Sequence, residues 1–215
     1  MREQVIRAVE ENKIVAIVRG IAAEKLIPVA EAMYEGGIRL LEITYSANGA
    51  VSDEQTAENI SILSKHFEGR MFIGAGTVIT TKQVELTKEA GGKFIISPDT
   101  FVDVIKKTRE LGLVSMPGAL TPSEIQIANR AGADFVKLFP ITSMGPSYVK
   151  AVKAPLTNVK LLAVGGVNLD NMKDYLNAGV YGFGIGSNIT PKKCIEEGNY
   201  EEIVALSKKY VEIVK

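Results

Sequence analysis

Little in this sequence invites redox or metal chemistry. Among its 215 residues there is one cysteine, Cys194, and one histidine, His66. A lone cysteine excludes an intramolecular disulfide framework and suits a reducing cytosol, so a cytoplasmic location is expected. Without a His/Cys cluster there is no ligand set for zinc, and the acids at predicted strand ends are too scattered for a carboxylate-only magnesium site, so no metal is expected. His66 falls in the last turn of a predicted helix, where a solvated imidazole suits the carbonyl end. The 25 basic residues balance 25 acidic ones, which removes any electrostatic grip on nucleic acid or an anionic membrane. No apolar run reaches membrane-spanning length. Met1-Arg2-Glu3-Gln4 leads into a charged amphipathic segment rather than the apolar core of a signal peptide. Gly74-Ala75-Gly76 opens like a nucleotide-binding fingerprint but lacks the third glycine at the required spacing.

What is present is a repeated strand–helix phrase. After an amphipathic helix over residues 2–12 comes Ile14-Val15-Ala16-Ile17-Val18, an almost unbroken apolar run of the kind buried on both faces in a parallel sheet. Residues 23–35 have helical spacing and stop at Gly36-Gly37; Pro28 lies inside and predicts a kink or a later start. Further strands are predicted at 39–44, 71–75, 93–97, 113–116, 134–140, 160–164 and 180–185, each followed by a helical segment. The helix after the fifth strand opens with Thr121-Pro122-Ser123-Glu124, a capping box with proline at the first helical position. A broken segment precedes the terminal helix over 200–214. Eight such units, with short connections and no linker, predict one α/β domain over residues 1–215, a closed (β/α)₈ TIM barrel with a short N-terminal helix. An open doubly wound sheet is the alternative; it would need a reversing strand order and typically fewer strands.

In a barrel of this kind chemistry gathers where strands end. Lys137 stands inside Asp134-Phe135-Val136-Lys137-Leu138-Phe139-Pro140, a short apolar strand that turns the amine to the same side as Phe135 and Phe139. Desolvation disfavours the ammonium and makes the amine a nucleophile for carbonyl carbon. The plainer alternative is a strand-end lysine whose head reaches solvent. Glu42, inside Leu40-Leu41-Glu42-Ile43, is the second buried charge. Read structurally, it pairs with Arg19 or Lys137; read chemically, amine and carboxyl are a minimal kit for Schiff-base formation. Gly165-Gly166 and Gly186-Ser187 follow the seventh and eighth strands, where barrels of this class often hold phosphate on backbone N–H groups.

Taken in order, Leu41-Glu42-Ile43-Thr44, Gly74-Ala75-Gly76-Thr77-Val78, Ile96-Ser97-Pro98, Pro117-Gly118, Phe135-Val136-Lys137-Leu138-Phe139-Pro140 and Val164-Gly165-Gly166-Val167 resemble the class I aldolases acting on 2-keto-3-deoxy-6-phosphogluconate (KDPG) and related 2-keto acids. The resemblance implies that Lys137 forms the Schiff base and Glu42 is the general acid/base. It further implies that Thr77 helps hold the pyruvate carboxylate and that Pro98 and Phe139 line the pocket. Arg19, Gly165, Gly166, Gly186 and Ser187 would serve phosphate or substrate binding, with a phosphorylated 2-keto sugar acid as ligand, no cofactor and a homotrimeric assembly. Many members carry an arginine shortly after the strand-two motif, whereas this chain has Thr44-Tyr45-Ser46-Ala47-Asn48. Ser46, with Gly145-Pro146-Ser147-Tyr148-Val149-Lys150, is similar to the branch acting on the galactonate epimer. Two other readings stay open: a non-covalent phosphate-binding barrel isomerase, decarboxylase or synthase, and a non-catalytic sugar-phosphate binding protein.

Overall fold

The computed structural model describes all 215 residues. Nine parallel strand segments form one sheet: β1 (Ile14–Val18), β2 (Leu40–Thr44), β3 (Phe72–Gly76), β4 (Phe94–Ile96), β5 (Val114–Met116), β6 (Gly118–Ala119), β7 (Val136–Leu138), β8 (Leu161–Val164) and β9 (Gly182–Ile185). Their spatial order, β5-β4-β3-β2-β1-β9-β8-β7-β6, begins and ends on two consecutive segments. β5 and β6 are the halves of one barrel strand parted by Pro117, which has no N–H to give to a ladder. Across this seam the amides of Asp134 and Phe135 donate to the Ser115 carbonyl at 2.9 and 3.3 Å, and the Lys137 amide to the Pro117 carbonyl at 2.9 Å. The expected eight-stranded barrel is therefore the fold, with its fifth strand in two pieces.

The helices are α1 (Arg2–Asn12), α2 (Ala23–Glu35), α3 (Asp53–His66), α4 (Thr81–Glu89), α5 (Val102–Glu110), α6 (Pro122–Ala131), α7 (Gly145–Lys153), α8 (Met172–Asn177), α9 (Lys192–Glu197) and α10 (Tyr200–Val214). The capping box read at α6 is formed: Thr121 Oγ1 accepts from the Glu124 amide and Glu124 accepts from the Thr121 amide. α2 runs through Pro28 without starting late or breaking. The N–H missing at Pro28 costs one bond, to the carbonyl of Glu24, and the turns on either side continue. His66 closes α3 as expected, yet its Nε2 lies 2.6 Å from Glu31 of α2 rather than in solvent alone. α9 occupies the segment read as broken. No helix is long and apolar enough to cross a membrane.

Two apolar masses hold the barrel. The larger, of 47 buried residues, fills the layer between strands and outer helices. The smaller, of 11, is the barrel's lower interior. There Val15, Leu40, Phe94, Val114, Phe135 and Leu162 meet Val5, Ala8 and Val9 of α1. Alternation along each strand selects these inward residues. α1 thus stoppers the N-terminal end, each buried valine contributing roughly 2 kcal/mol. Asp134 pins it polar-side: its carboxylate pairs with Arg2 and Arg109 and accepts from the Ser115 amide at 2.9 Å. One step further up the same inward faces, the lining changes from apolar to ionisable.

Candidate active site

Glu42 follows Leu40 on the inward face of β2 and is 2% exposed, while Lys137 follows Phe135 on β7 and is 7% exposed. Space for the carboxyl exists because Gly76 of β3 carries no side chain; a Cβ there would overlap the Glu42 carboxyl oxygen. Lys137 Nζ stands 4.5 Å from the centre of the Phe139 ring. Lys137 and Glu42 form no direct ion pair, and neither side chain is tied to another by a hydrogen bond. Burial therefore dominates both. It lowers the Lys137 amine below the ordinary lysine range, against the pull of Glu42 and with a push from the Arg19 charge. It raises the Glu42 carboxyl above the ordinary range, against the attraction of Lys137 and Arg19. Burial thus moves each group in the direction of its uncharged form, against their mutual attraction.

Both groups open into a cavity of about 720 Å³. Arg19, Phe139, Gly165, Gly166, Gly186 and Ser187 line the same cavity. Gly165 and Gly166 take φ values of +93° and +73°, a left-handed pair that a Cβ would strain. Their amides, and those of Gly186 and Ser187, donate to no acceptor in the chain, so two loops lining the cavity carry unused N–H groups. Thr77 lies apart, on a second cavity of about 460 Å³ that shares Arg19, Gly20 and Ile21 with the first. Thr77 is itself left-handed, at φ +57°, a conformation costly for a β-branched residue and typical of functional loops. Pro98 lines neither cavity; it is half-buried and its carbonyl lies where a side chain on Gly118 would collide with it.

The loop after β2 closes on itself: Ser46 Oγ donates to Asn48 Oδ1 at 2.7 Å, and the Ala50 amide adds a bond to the same oxygen. Tyr45 turns away into the helical layer, its hydroxyl 3.0 Å from Thr87 Oγ1 and its pKa pushed up to about 12 by burial. Sequence reading missed Lys25, Lys192, Ile195 and Glu196, which also face the larger cavity. They sit on α2 and α9 rather than at strand ends, and nothing in their local spacing marks them. It also missed Asn59, a residue of α3 bordering the second cavity whose Oδ1 is buried without a partner. No three His, Cys, Asp or Glu side chains gather as a metal-ligand set.

A family model described as KDPG and KHG aldolase matches residues 5–206. The chain belongs to the KDPG and KHG aldolase family. It is 36% identical over 180 residues to a probable 2-dehydro-3-deoxy-6-phosphogalactonate aldolase of Rhizobium meliloti, covering 83% of this chain and 82% of that one. A 2-dehydro-3-deoxy-phosphogluconate aldolase of Haemophilus influenzae is 31% identical over 99% of this chain and 98% of its own. Among solved structures, a KDPG aldolase from Legionella pneumophila, with pyruvate captured at low pH as a covalent carbinolamine intermediate, superposes with a TM-score of 0.84. It is 28% identical, over 94% of this chain and 96% of its own. In this aldolase, then, a desolvated amine and carboxyl occupy the closed depth of the cavity, and glycine loops with free amides occupy its rim.

Proposed function

We propose that the protein is a class I aldolase that cleaves a 2-keto-3-deoxy-6-phospho sugar acid to pyruvate and D-glyceraldehyde 3-phosphate through a Schiff base on Lys137. The observation that carries this reading is the single cavity that joins Lys137 and Glu42, both shifted towards neutrality by burial, to four unpartnered loop amides. The neutral amine adds to the C2 ketone and gives a carbinolamine. Glu42, as the acid, protonates the departing hydroxyl, and water leaves an iminium. Glu42, now a carboxylate, accepts the C4 hydroxyl proton, directly or through water. The C3–C4 bond breaks, its electron pair flows into the iminium, and glyceraldehyde 3-phosphate departs. The resulting enamine is protonated at C3 and hydrolysed, freeing pyruvate and the amine.

The amides of Gly165, Gly166, Gly186 and Ser187 hold the phosphate, because unpaired loop N–H groups, two of them on the left-handed pair Gly165-Gly166, suit an anion. Arg19, at the junction of the two cavities, and Thr77 serve the carboxylate end, and Phe139 flanks the amine. The reaction as drawn uses no metal or cofactor. The Ser46 loop and the identity to the Rhizobium meliloti protein support the galactonate epimer as preferred substrate. A structure built by fusing symmetric oligomeric domains, 30% identical over 94% of this chain, supports a homo-oligomer, which we take to be a trimer acting in the cytoplasm.

Borohydride reduction in the presence of pyruvate, followed by peptide mapping, tests the chemistry. A reduced pyruvyl adduct on the peptide bearing Lys137 is expected; active, folded protein without an adduct would remove the covalent mechanism. Steady-state kinetics with the two C4 epimers tests the preference.

A further inference from the structure

None of the residues of α9 is buried, yet this short helix forms one wall of the active-site cavity through Lys192, Ile195 and Glu196. It is fastened from across the mouth. Lys25, in the first turn of α2, donates from Nζ to the carbonyls of Ile195 at 2.9 Å and Glu196 at 3.2 Å. These are last-turn carbonyls, where partial negative charge collects and a cation fits; that of Ile195 also accepts from the Gly198 amide at 3.4 Å. An ammonium has three N–H donors; two are spent on α9. No carboxylate pairs with Lys25, although Lys192 pairs with Glu196 at 3.5 Å. The rim of the cavity carries three cations, Arg19, Lys25 and Lys192, against two carboxylates, Glu24 and Glu196. Its surplus of one positive charge disappears if Lys25 is neutralised.

We propose that Lys25 determines the enzyme's selectivity for phosphorylated substrates, latching α9 beside the glycine loops and giving its third N–H and its unpaired charge to the phosphate. The identity of the substrate rests on the aldolase reading above; the anion site itself does not. The glycine amides supply geometry, and Lys25 supplies the charge that distinguishes a phosphate from a hydroxyl. Arginine at this position keeps both the charge and the donors for the carbonyls.

The test compares wild type, Lys25→Met and Lys25→Arg in three measurements: calorimetric titration with glycerol 3-phosphate, kinetics on the 2-keto-3-deoxy acid with and without its phosphate, and borohydride trapping of pyruvate. Lys25→Met should weaken glycerol 3-phosphate by about tenfold or more and raise KM for the phosphorylated substrate by a similar factor, the scale of a lost charge-assisted hydrogen bond. Its pyruvate trapping on Lys137 should persist, which reports that the site is folded, and its turnover of the unphosphorylated acid should fall by much less than that of the phosphorylated one. Lys25→Arg should recover most of the phosphate affinity. Unchanged glycerol 3-phosphate affinity in Lys25→Met, or equal losses on both substrates, would overturn the proposal. Wild type that binds glycerol 3-phosphate through Lys25 but traps no pyruvate would sink the aldolase reading and leave this one standing.

Discussion

Gly76→Ala separates catalysis from stability at one methyl group. Gly76 ends β3 in strand backbone that any residue can adopt, so the new side chain meets an obstacle of contact, not of conformation. Its Cβ would overlap a Glu42 carboxyl oxygen, come within 2.7 Å of the carboxyl carbon and lie 3.1 Å from Thr44 Cγ2. Carbon atoms settle at about 3.5–4.0 Å, so the Glu42 carboxyl must retreat by about 1 Å. A carboxyl at the end of a flexible side chain does this with little loss of stability, under about 1 kcal/mol. Proton transfer is less forgiving, because a misplacement of about 1 Å can cost about 10²-fold in rate. Gly76→Ala should therefore release pyruvate about 100-fold more slowly while melting close to wild type. The matched control is Gly74→Ala, two residues earlier on the same strand, whose Cβ would run into the fully buried Phe94 ring. Overpacking there should cost about 1–3 kcal/mol and leave turnover of the folded fraction intact. Pyruvate release and thermal melting on both variants decide the matter. Wild-type turnover in Gly76→Ala, or a loss that merely tracks its unfolding, would show that the position of Glu42 does not limit the reaction.

Other outcomes follow from the same geometry. Glu42→Gln should keep the fold and lose about 10²–10⁴-fold in turnover, and Lys137→Ala should abolish both turnover and pyruvate trapping. Lys137→Met should melt above wild type at neutral pH, because burial lowers the amine's pKa and wild type bears that cost. In the window between the lowered folded pKa and the ordinary lysine value of about 10.4, the unfolded chain binds the extra proton, so wild-type stability rises with pH. The advantage of Lys137→Met should shrink as pH climbs through that window; a constant difference would show that the amine is charged in the folded protein. Asp134→Ala strips an acceptor from the Ser115 amide and from Arg2 and Arg109. It should cost about 2 kcal/mol in denaturant unfolding without altering KM.

The parts legible in sequence were those where a residue contradicts its surroundings. A charge inside Leu40-Leu41-Glu42-Ile43 or Phe135-Val136-Lys137-Leu138 is visible because burial of that strand follows from its neighbours, and the barrel rule then puts both charges at one mouth. Gly165-Gly166 after β8 and Gly186-Ser187 after β9 were legible for a related reason: they sit at fixed places in a repeating phrase. Lys25, Lys192 and Glu196 gave no such contradiction. Each is an ordinary polar residue on a helix, and only the folding of α9 back towards α2 makes them neighbours. The division of β5 from β6 escaped notice because a proline between apolar residues reads as a strand end, and a barrel seam is a long-range event. Thr77 and Pro98 show a similar limit: sequence order places both at strand ends, but not on which side of a turn each side chain falls. Thr77 proved to face the neighbouring cavity and Pro98 neither one.

The stopper formed by α1 makes the reaction chamber a cul-de-sac. With Phe94, Phe135 and Leu162 packed against Val5 and Val9 below Lys137, traffic is confined to the opposite end of the barrel, where the glycine loops stand. On the Schiff-base reading proposed above, the pyruvyl fragment bonded to Lys137 would be the inner occupant and the phosphorylated aldehyde the outer one. Molecules in such a chamber must queue: in cleavage the aldehyde leaves before pyruvate, and in the reverse direction pyruvate must enter first. Aldehyde added ahead of pyruvate would then block the doorway and slow synthesis, whereas excess pyruvate would not.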